Sequence, residues 1–145
     1  YPLILTPHMK EMSGLLGCSV AELRQSRMSR LRAFIQTCPA VCVLKDSCTI
    51  VAQRGKQDFV NTAGNHGMAK AGSGDVLAGV ITGLLAGGLD AYDSAVLGVY
   101  LHACGGDAAR ERLGSYSLLA EDLIGGIREC LKEAEGNSRR QRITE

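Results

Sequence analysis

The chain has no tryptophan, two phenylalanines and four tyrosines, so aromatic residues make up 4% of its 145 positions. That scarcity argues against a surface that stacks successive nucleic-acid bases. Charge of one sign is missing too: 16 Lys and Arg stand against 15 Asp and Glu, a net +1. No strong field therefore draws the chain to nucleic acid or to a membrane surface. Long apolar runs are absent. The longest lies in 76–89, is interrupted by Gly79, Thr82 and Gly83, and is too short to span a bilayer. The opening Tyr1-Pro2-Leu3 lacks the basic stretch of a secretory leader, and a cytoplasmic location is expected. The six cysteines form no CxxC pair, and His66 and His102 stand at no zinc-finger spacing from Cys38 and Cys42. We expect buried, unpaired thiols in a reducing compartment, and no direct metal ligation.

Hydrophobic residues at 46% and charged residues at 21% are ordinary for a globular domain, and the length suits one. Leu3-Ile4-Leu5 predicts a short strand ended by Pro7. Lys10–Leu16 predicts a helix closed by Gly17, and Ser19 with Glu22 three residues on predicts a capping box for a helix over 20–37. Val41–Leu44 is a continuous apolar run, as in a strand buried on both faces. Residues 49–52 and 58–60 predict a hairpin around Arg54-Gly55-Lys56. Helices follow over about 74–87, 91–112 and 119–134, then a frayed polar tail with Arg139, Arg140 and Arg142. Strands alternating with helices imply an α/β layered fold with a mainly parallel sheet. Ligands in such sheets bind beyond the carboxyl ends of strands.

The densest signal is Asn61 to Gly79. Its front half is polar and glycine-rich; its back half opens an apolar helix. Gly72, Ser73 and Gly74 stand where that helix begins, and small residues let backbone N–H groups approach an anion closely. Asp75 follows at once. A carboxylate beside an anion cradle suits a base that removes a proton from an attacking group.

Asn61-x-x-Gly64-Asn65-x-Gly67-Met68-Ala69, followed by Gly72-Ser73-Gly74-Asp75-Val76-Leu77-Ala78-Gly79, resembles the signature of the ADP/ATP-dependent NAD(P)H-hydrate dehydratases. These belong to the ribokinase-like superfamily, and many were once called carbohydrate kinases. The resemblance runs from about Leu3 to Ile127. It implies a ribokinase-like layered sheet with flanking helices, of which residues 1–135 are the C-terminal half and 136–145 a polar tail. The N-terminal half is expected to be absent from this sequence.

The resemblance also implies roles. Thr6-Pro7-His8-Met9-Lys10-Glu11 is similar to a family segment in which His8 contacts the hydrated nicotinamide nucleotide, with Glu11 orienting His8 or capping a helix. Lys45-Asp46-Ser47-Cys48-Thr49 is similar to a turn near the nucleotide phosphates, although Asp46 replaces a usual Gly and Cys48 a usual small residue. Asp can adopt a left-handed backbone, which would keep the turn, but Asp46 adds negative charge near those phosphates. Asn65 is expected to bond phosphate or to help place hydrated Mg²⁺, Gly64 and Gly67 to serve backbone geometry, and Met68 to pack. Lys70 could add a phosphate contact or point to water. His102 is expected as a satisfied buried histidine, and the acidic 121–122 pair at a helix start. The implied reaction is dehydration of NADH or NADPH hydrate at the expense of ADP or ATP with Mg²⁺. In it Asp75 is the base, and Gly72, Ser73 and Gly74 hold the phosphate. The partners are small-molecule nucleotides, with no nucleic acid or membrane, and a homo-oligomer is expected. A kinase for a sugar or vitamin hydroxyl in the same superfamily and an inactive fragment remain the alternatives.

Overall fold

A computed structural model describes residues 2–144, with side chains through residue 137. The chain divides into two compact units, residues 1–62 with 81–97, and residues 63–80 with 98–145.

The first unit holds a four-stranded sheet in the order β1 (Ile4–Leu5), β2 (Val41–Leu44), β3 (Ile50–Ala52), β4 (Phe59–Val60). β1 pairs parallel with β2, Ile4 opposite Val41 and Leu5 opposite Cys42. β2 and β3 pair antiparallel, as do β3 and β4. The sheet is thus mixed rather than mainly parallel. The five residues between β2 and β3 can only fold the chain back on itself, whereas a parallel return needs a crossover. Such a crossover exists once, between β1 and β2, and it carries three helices: α1 (Met9–Leu16), α2 (Val20–Gln25) and α3 (Arg27–Thr37).

The apolar period of these helices has its partner in the sheet. Met9, Met12, Leu23, Leu31 and Ile35 join Cys42, Leu44, Ile50 and Ala52 in one core cluster. Val41, Val43 and Val51, which alternate with that face, are also buried. Burying each such side chain contributes about 1.5–3 kcal/mol before entropy is counted. The 20–37 segment is two helices, broken at Ser26. Its hydroxyl donates to the Glu22 carbonyl (2.9 Å) and accepts from Arg30 Nε (2.7 Å), bonds that compete with the helical ladder. The Ser19–Glu22 capping box forms as expected.

The second unit contains a one-turn 3₁₀ helix (His66–Met68) and much of three helices, α4 (Ser73–Ala86), α5 (Ala91–Leu113) and α6 (Ala120–Thr144). α5 and α6 touch backbone to backbone: a Cβ on Gly126 would collide with the Gly105 carbonyl oxygen, and one on Gly105 would lie 2.8 Å from the Ile127 nitrogen. α6 begins with the expected acidic turn, Asp122 accepting from the Leu119 N–H at 2.8 Å. It continues to Thr144, ten residues beyond the expected end; the side chains of Arg139, Arg140 and Arg142 lie outside the described residues. No helix among the described residues is long and apolar enough to cross a membrane. All six cysteines are unpaired, but Cys42 alone is fully buried and the other five are half-buried. Burial pushes the Cys42 thiol up to about 12, with Cys38 adding to it.

Gly126→Ala is expected to destabilise the chain by about 1–3 kcal/mol, since overpacked backbone cannot yield as a side chain does. Gly136, in the same helix with open space around its Cα, is the control. Its change to Ala stabilises by roughly 0.5–1 kcal/mol. Thermal melts followed by circular dichroism check both; equal melting of Gly126→Ala and wild type would show that the crossing relaxes.

Candidate active site

In the first unit the carboxyl ends of β1 and β2 bring His8 and Lys45 together. The Lys45 N–H donates to the Pro7 carbonyl at 2.8 Å, and His8 and Lys45 form an isolated parallel bridge beyond the strands. His8 is the N-cap of α1. Its backbone N–H donates to Glu11 Oε2 at 2.7 Å, and the Glu11 N–H donates to His8 Nδ1 at 3.1 Å. A nitrogen that accepts carries no proton, so neutral His8 is protonated at Nε2, which lies 3.3 Å from Glu11 Oε1. Glu11 therefore caps the helix and orients the imidazole at once. The hydrogen bond from the His8 backbone N–H holds the Glu11 carboxyl below the usual range, with desolvation opposing and the Lys45 charge adding. About half of the His8 side chain remains exposed.

The Lys45–Thr49 turn departs from expectation at Asp46. No non-glycine residue among the described ones has positive φ, so Asp46 is not left-handed. Thr49 Oγ1 closes the turn by donating to the Asp46 carbonyl at 3.2 Å. The Asp46 carboxylate is paired: Arg27 Nη1 donates to its Oδ2 at 2.8 Å, both side chains about a quarter exposed (28% and 24%). Ser47 is exposed, while Lys45 and Cys48 are half-buried.

In the second unit the polar loop before α4 is held from α5. Asp107 accepts the Gly64 N–H (2.8 Å) on one oxygen and Asn65 Nδ2 (2.9 Å) on the other. Asn65 Nδ2 also donates to the Gly106 carbonyl at 2.9 Å, and its Oδ1 accepts the Gly67 N–H at 3.0 Å. Both amide hydrogens of Asn65 are thus engaged inside the unit, which makes it a residue that shapes the loop. A phosphate would find only its oxygen, which is an acceptor. Met68 packs against Gly106, whose missing side chain leaves it room. Lys70 reaches the Tyr116 carbonyl, Nζ to oxygen 3.4 Å.

Gly72 has φ 85°, open to glycine and rare for other residues, and a Cβ there would lie 3.1 Å from the Ala120 methyl. Its carbonyl accepts from the N–H groups of Asp75 and Val76, both at 3.1 Å, which starts α4. The Ser73 N–H donates to the Lys70 carbonyl at 3.3 Å and so is not available to an anion, against expectation. The N–H groups of Ala71, Gly72 and Gly74 have no partner among the described residues. The Asp75 carboxylate is exposed in the first helical turn.

Ser73 is buried, and behind it sits His102, 9% exposed. His102 Nε2 lies 3.0 Å from the Ser73 carbonyl oxygen and 3.3 Å from its hydroxyl. A carbonyl only accepts, so Nε2 carries the proton. The expected satisfied, buried histidine is there; what the sequence did not reveal is that its partner is the turn itself. Arg27 and Asp107 were missed as well. Asp107 lies more than 40 positions from the loop it holds. Arg27 left no local trace, because apolar periodicity ran through it as part of one helix over 20–37 and only the break at Ser26 makes it the first residue of α3. Among the described residues no three His, Cys, Asp or Glu side chains converge on a possible metal position.

Burial holds the His102 pKa below its ordinary 6.5, the Ser73 carbonyl pulling the other way. Between that lowered value and 6.5 the unfolded chain binds more protons than the folded one, so stability falls as pH drops through this window. Melting temperatures between pH 7.5 and 5 are expected to decline in wild type and to flatten in His102→Gln, whose amide can still donate to Ser73. An unchanged slope in the variant would assign the decline to other groups.

A family model described as NAD(P)H-hydrate dehydratase matches residues 1–128. The bifunctional NAD(P)H-hydrate repair enzyme Nnr of Moorella thermoacetica is 40% identical over 134 residues, 92% of this chain and 25% of that protein. The ADP-dependent (S)-NAD(P)H-hydrate dehydratase of Neisseria meningitidis serogroup B is 40% identical over 127 residues, 87% of this chain and 43% of that one. The crystal structure of the ADP/ATP-dependent NAD(P)H-hydrate dehydratase from Bacillus subtilis, co-crystallised with ATP/Mg²⁺, matches with a TM-score of 0.86 and 31% identity, covering 91% of this chain and 48% of that chain. A ribokinase-like superfamily protein of Enterococcus faecalis matches with a TM-score of 0.77 at 30% identity. The chain spans between about a quarter and about half of the proteins it matches, from 24% to 49% of their length. Its α/β fold is that of the ribokinase-like proteins, and with residues 1–128 matched the chain belongs to the NAD(P)H-hydrate dehydratase family.

Proposed function

We propose that this chain takes part in the ADP- or ATP-dependent dehydration of hydrated NADH or NADPH. The observation that carries the reading is the entry to α4. Backbone N–H groups of Ala71, Gly72 and Gly74 stand without a partner among the described residues, directly before the exposed Asp75 carboxylate. A helix start of this kind favours an anion, and the neighbouring carboxylate suits a proton acceptor.

In this reading Asp75 takes the proton from the hydroxyl at C6 of the reduced, hydrated nicotinamide ring. The oxygen so released attacks the terminal phosphorus of the nucleotide, and the bond to the bridging oxygen breaks, leaving AMP from ADP or ADP from ATP. The N–H groups around Gly72 and Gly74 stabilise the charge on the transferring phosphoryl oxygens. The phosphorylated ring then loses phosphate from C6 and a proton from C5 as the ring nitrogen pushes electrons in, restoring the double bond. Hydroxide leaves poorly and phosphate leaves well, so a formal loss of water consumes a nucleotide. Lys45 and the Asp46–Thr49 turn bind the nucleotide, and His8, held by Glu11, contacts the hydrated substrate. Mg²⁺ brought with the nucleotide would supply positive charge that neutralises the phosphates.

The open edge of β1 and exposed apolar side chains such as Leu3 (50%) and Leu15 (58%) support a homo-oligomer. Light scattering is expected to give a mass above that of one chain; a soluble monomer with turnover would overturn this.

Asp75→Asn is expected to lower dehydration by about 10²–10⁴, the effect of an ordinary general base. Nucleotide affinity should stay within a few-fold and the melting temperature within a few degrees, because Asp75 lies in the first turn of α4, where loss of its charge against the helix dipole costs only about 0.3–1 kcal/mol. Return of NADH absorbance from the hydrate, with a melt of the same protein, provides the measurement. Near wild-type turnover would remove Asp75 from the mechanism. A retained phosphorylated product, with no inorganic phosphate released, would indicate a small-molecule kinase instead.

A further inference from the structure

The turn proposed for the nucleotide phosphates contains an acid, Asp46, one residue after Lys45. Left alone, that carboxylate would repel the ligand and compete for the lysine. Instead it is bound to Arg27, Nη1 to Oδ2 at 2.8 Å, across 19 positions of sequence. Arg27 is oddly placed for any purpose of its own helix. It is the first residue of α3, where the dipole disfavours a cation, and α3 has no acidic residue in its first turn. α3 also begins without a side-chain cap, at the Ser26 break. The break, the cation at the wrong helix end and the carboxylate it meets make sense together as a charge-cancelling device: Arg27 is fixed by α3, and Asp46 turns toward it.

We propose that Arg27 is a positioning residue of the nucleotide-binding turn, cancelling the Asp46 charge so that Lys45 and the turn's backbone accept a phosphate. The inference rests on the proposed nucleotide role of residues 45–49. Arg27 itself does not touch the ligand; it acts through Asp46. What the ligand meets is the net charge of the pair. Removing the arginine leaves one uncompensated negative charge, removing the aspartate leaves one positive charge, and removing both restores neutrality.

ADP binding by calorimetry at low ionic strength, on the 145-residue chain and four variants, tests this. Arg27→Ala is expected to weaken ADP about tenfold and Asp46→Ala to strengthen it several-fold, the size of one unit charge a few ångströms from a phosphate in partly exposed surroundings. The double variant returns to within about threefold of wild type. Both single effects shrink in 0.5 M salt. A merely structural arginine would behave differently: the double variant would bind as poorly as Arg27→Ala, or worse, and salt would not matter. Either that result or an Arg27→Ala chain that binds like wild type overturns the proposal, and a melt of each variant shows that it is folded. Lys45→Ala separates the levels. If it binds ADP as wild type does, or if wild type binds none, the nucleotide role of the turn fails and the proposal with it. If it weakens binding while the Arg27–Asp46 cycle shows no charge compensation, the proposal fails alone.

Discussion

α5 and α6 meet where Gly105 and Gly126 leave no side chain between two backbones, and the second unit is arranged around that contact. Residues on either side of Gly105 carry the unit's other anchors. His102 reaches Ser73, Gly106 gives Met68 room and its carbonyl to Asn65, and Asp107 holds the Gly64 and Asn65 amides. Four residues within two turns of one helix, His102, Gly105, Gly106 and Asp107, thus position the polar loop and the start of α4. A shift of α5 along its axis would displace all of these bonds together. Close packing between backbones resists such a shift more firmly than packing between flexible side chains, because no rotamer change can absorb it.

In the first unit economy comes from reciprocity. The two-residue β1 is too short to be stable alone, and its pairing with the buried β2 continues one step further through the Lys45 N–H and Pro7 carbonyl. That extra step sets His8 beside Lys45. Glu11 then satisfies the backbone of His8 and holds its ring, so the device that starts α1 also fixes an imidazole tautomer. Each such exposed bond is worth only about 1 kcal/mol. Their value lies in geometry: a half-exposed histidine with an oriented ring loses less freedom when a ligand meets it.

Much of this was legible in sequence wherever the determining interactions are local. Both capping boxes span three residues, and Ser19 with Glu22 could be read directly. The strand over 41–44, the hairpin over 50–60 and the starts of α4, α5 and α6 followed from period, turn residues and acidic first turns. The parallel sheet failed because alternation of helices and strands was extended past β2, where the short 45–49 connection already demanded an antiparallel return. The single helix over 20–37 failed because apolar periodicity passes through Ser26, while the break depends on its hydroxyl bonds. In the site, motif resemblance drew attention to Asp46, Asn65 and His102, but their partners lie far away in the chain. Arg27 for Asp46, Asp107 for Asn65 and Ser73 for His102 are tertiary facts that no local pattern encodes.

The Gly-Ser-Gly order at the start of α4 has a physical logic once these partners are known. Ser73 faces inward: its side chain is buried, its carbonyl accepts from His102 and its N–H is given to Lys70. Its neighbours keep their N–H groups without partners among the described residues, and a side chain at Gly72 would be strained by its φ of 85° and would bring a Cβ within 3.1 Å of the Ala120 methyl. One residue is therefore spent on anchoring, and the flanking glycines are left bare. Exchanging them, Ser-Gly-Ser, would lose the buried hydroxyl beside His102 and place a side chain at position 72, where the backbone conformation disfavours one. In the proposed reaction this anchoring matters, because donors stabilise a developing charge best when they need not reorganise as it forms. A glycine-rich turn alone would be free to move. Tied from behind by a buried imidazole and continued at once into a helix, it presents its N–H groups and Asp75 from a fixed base.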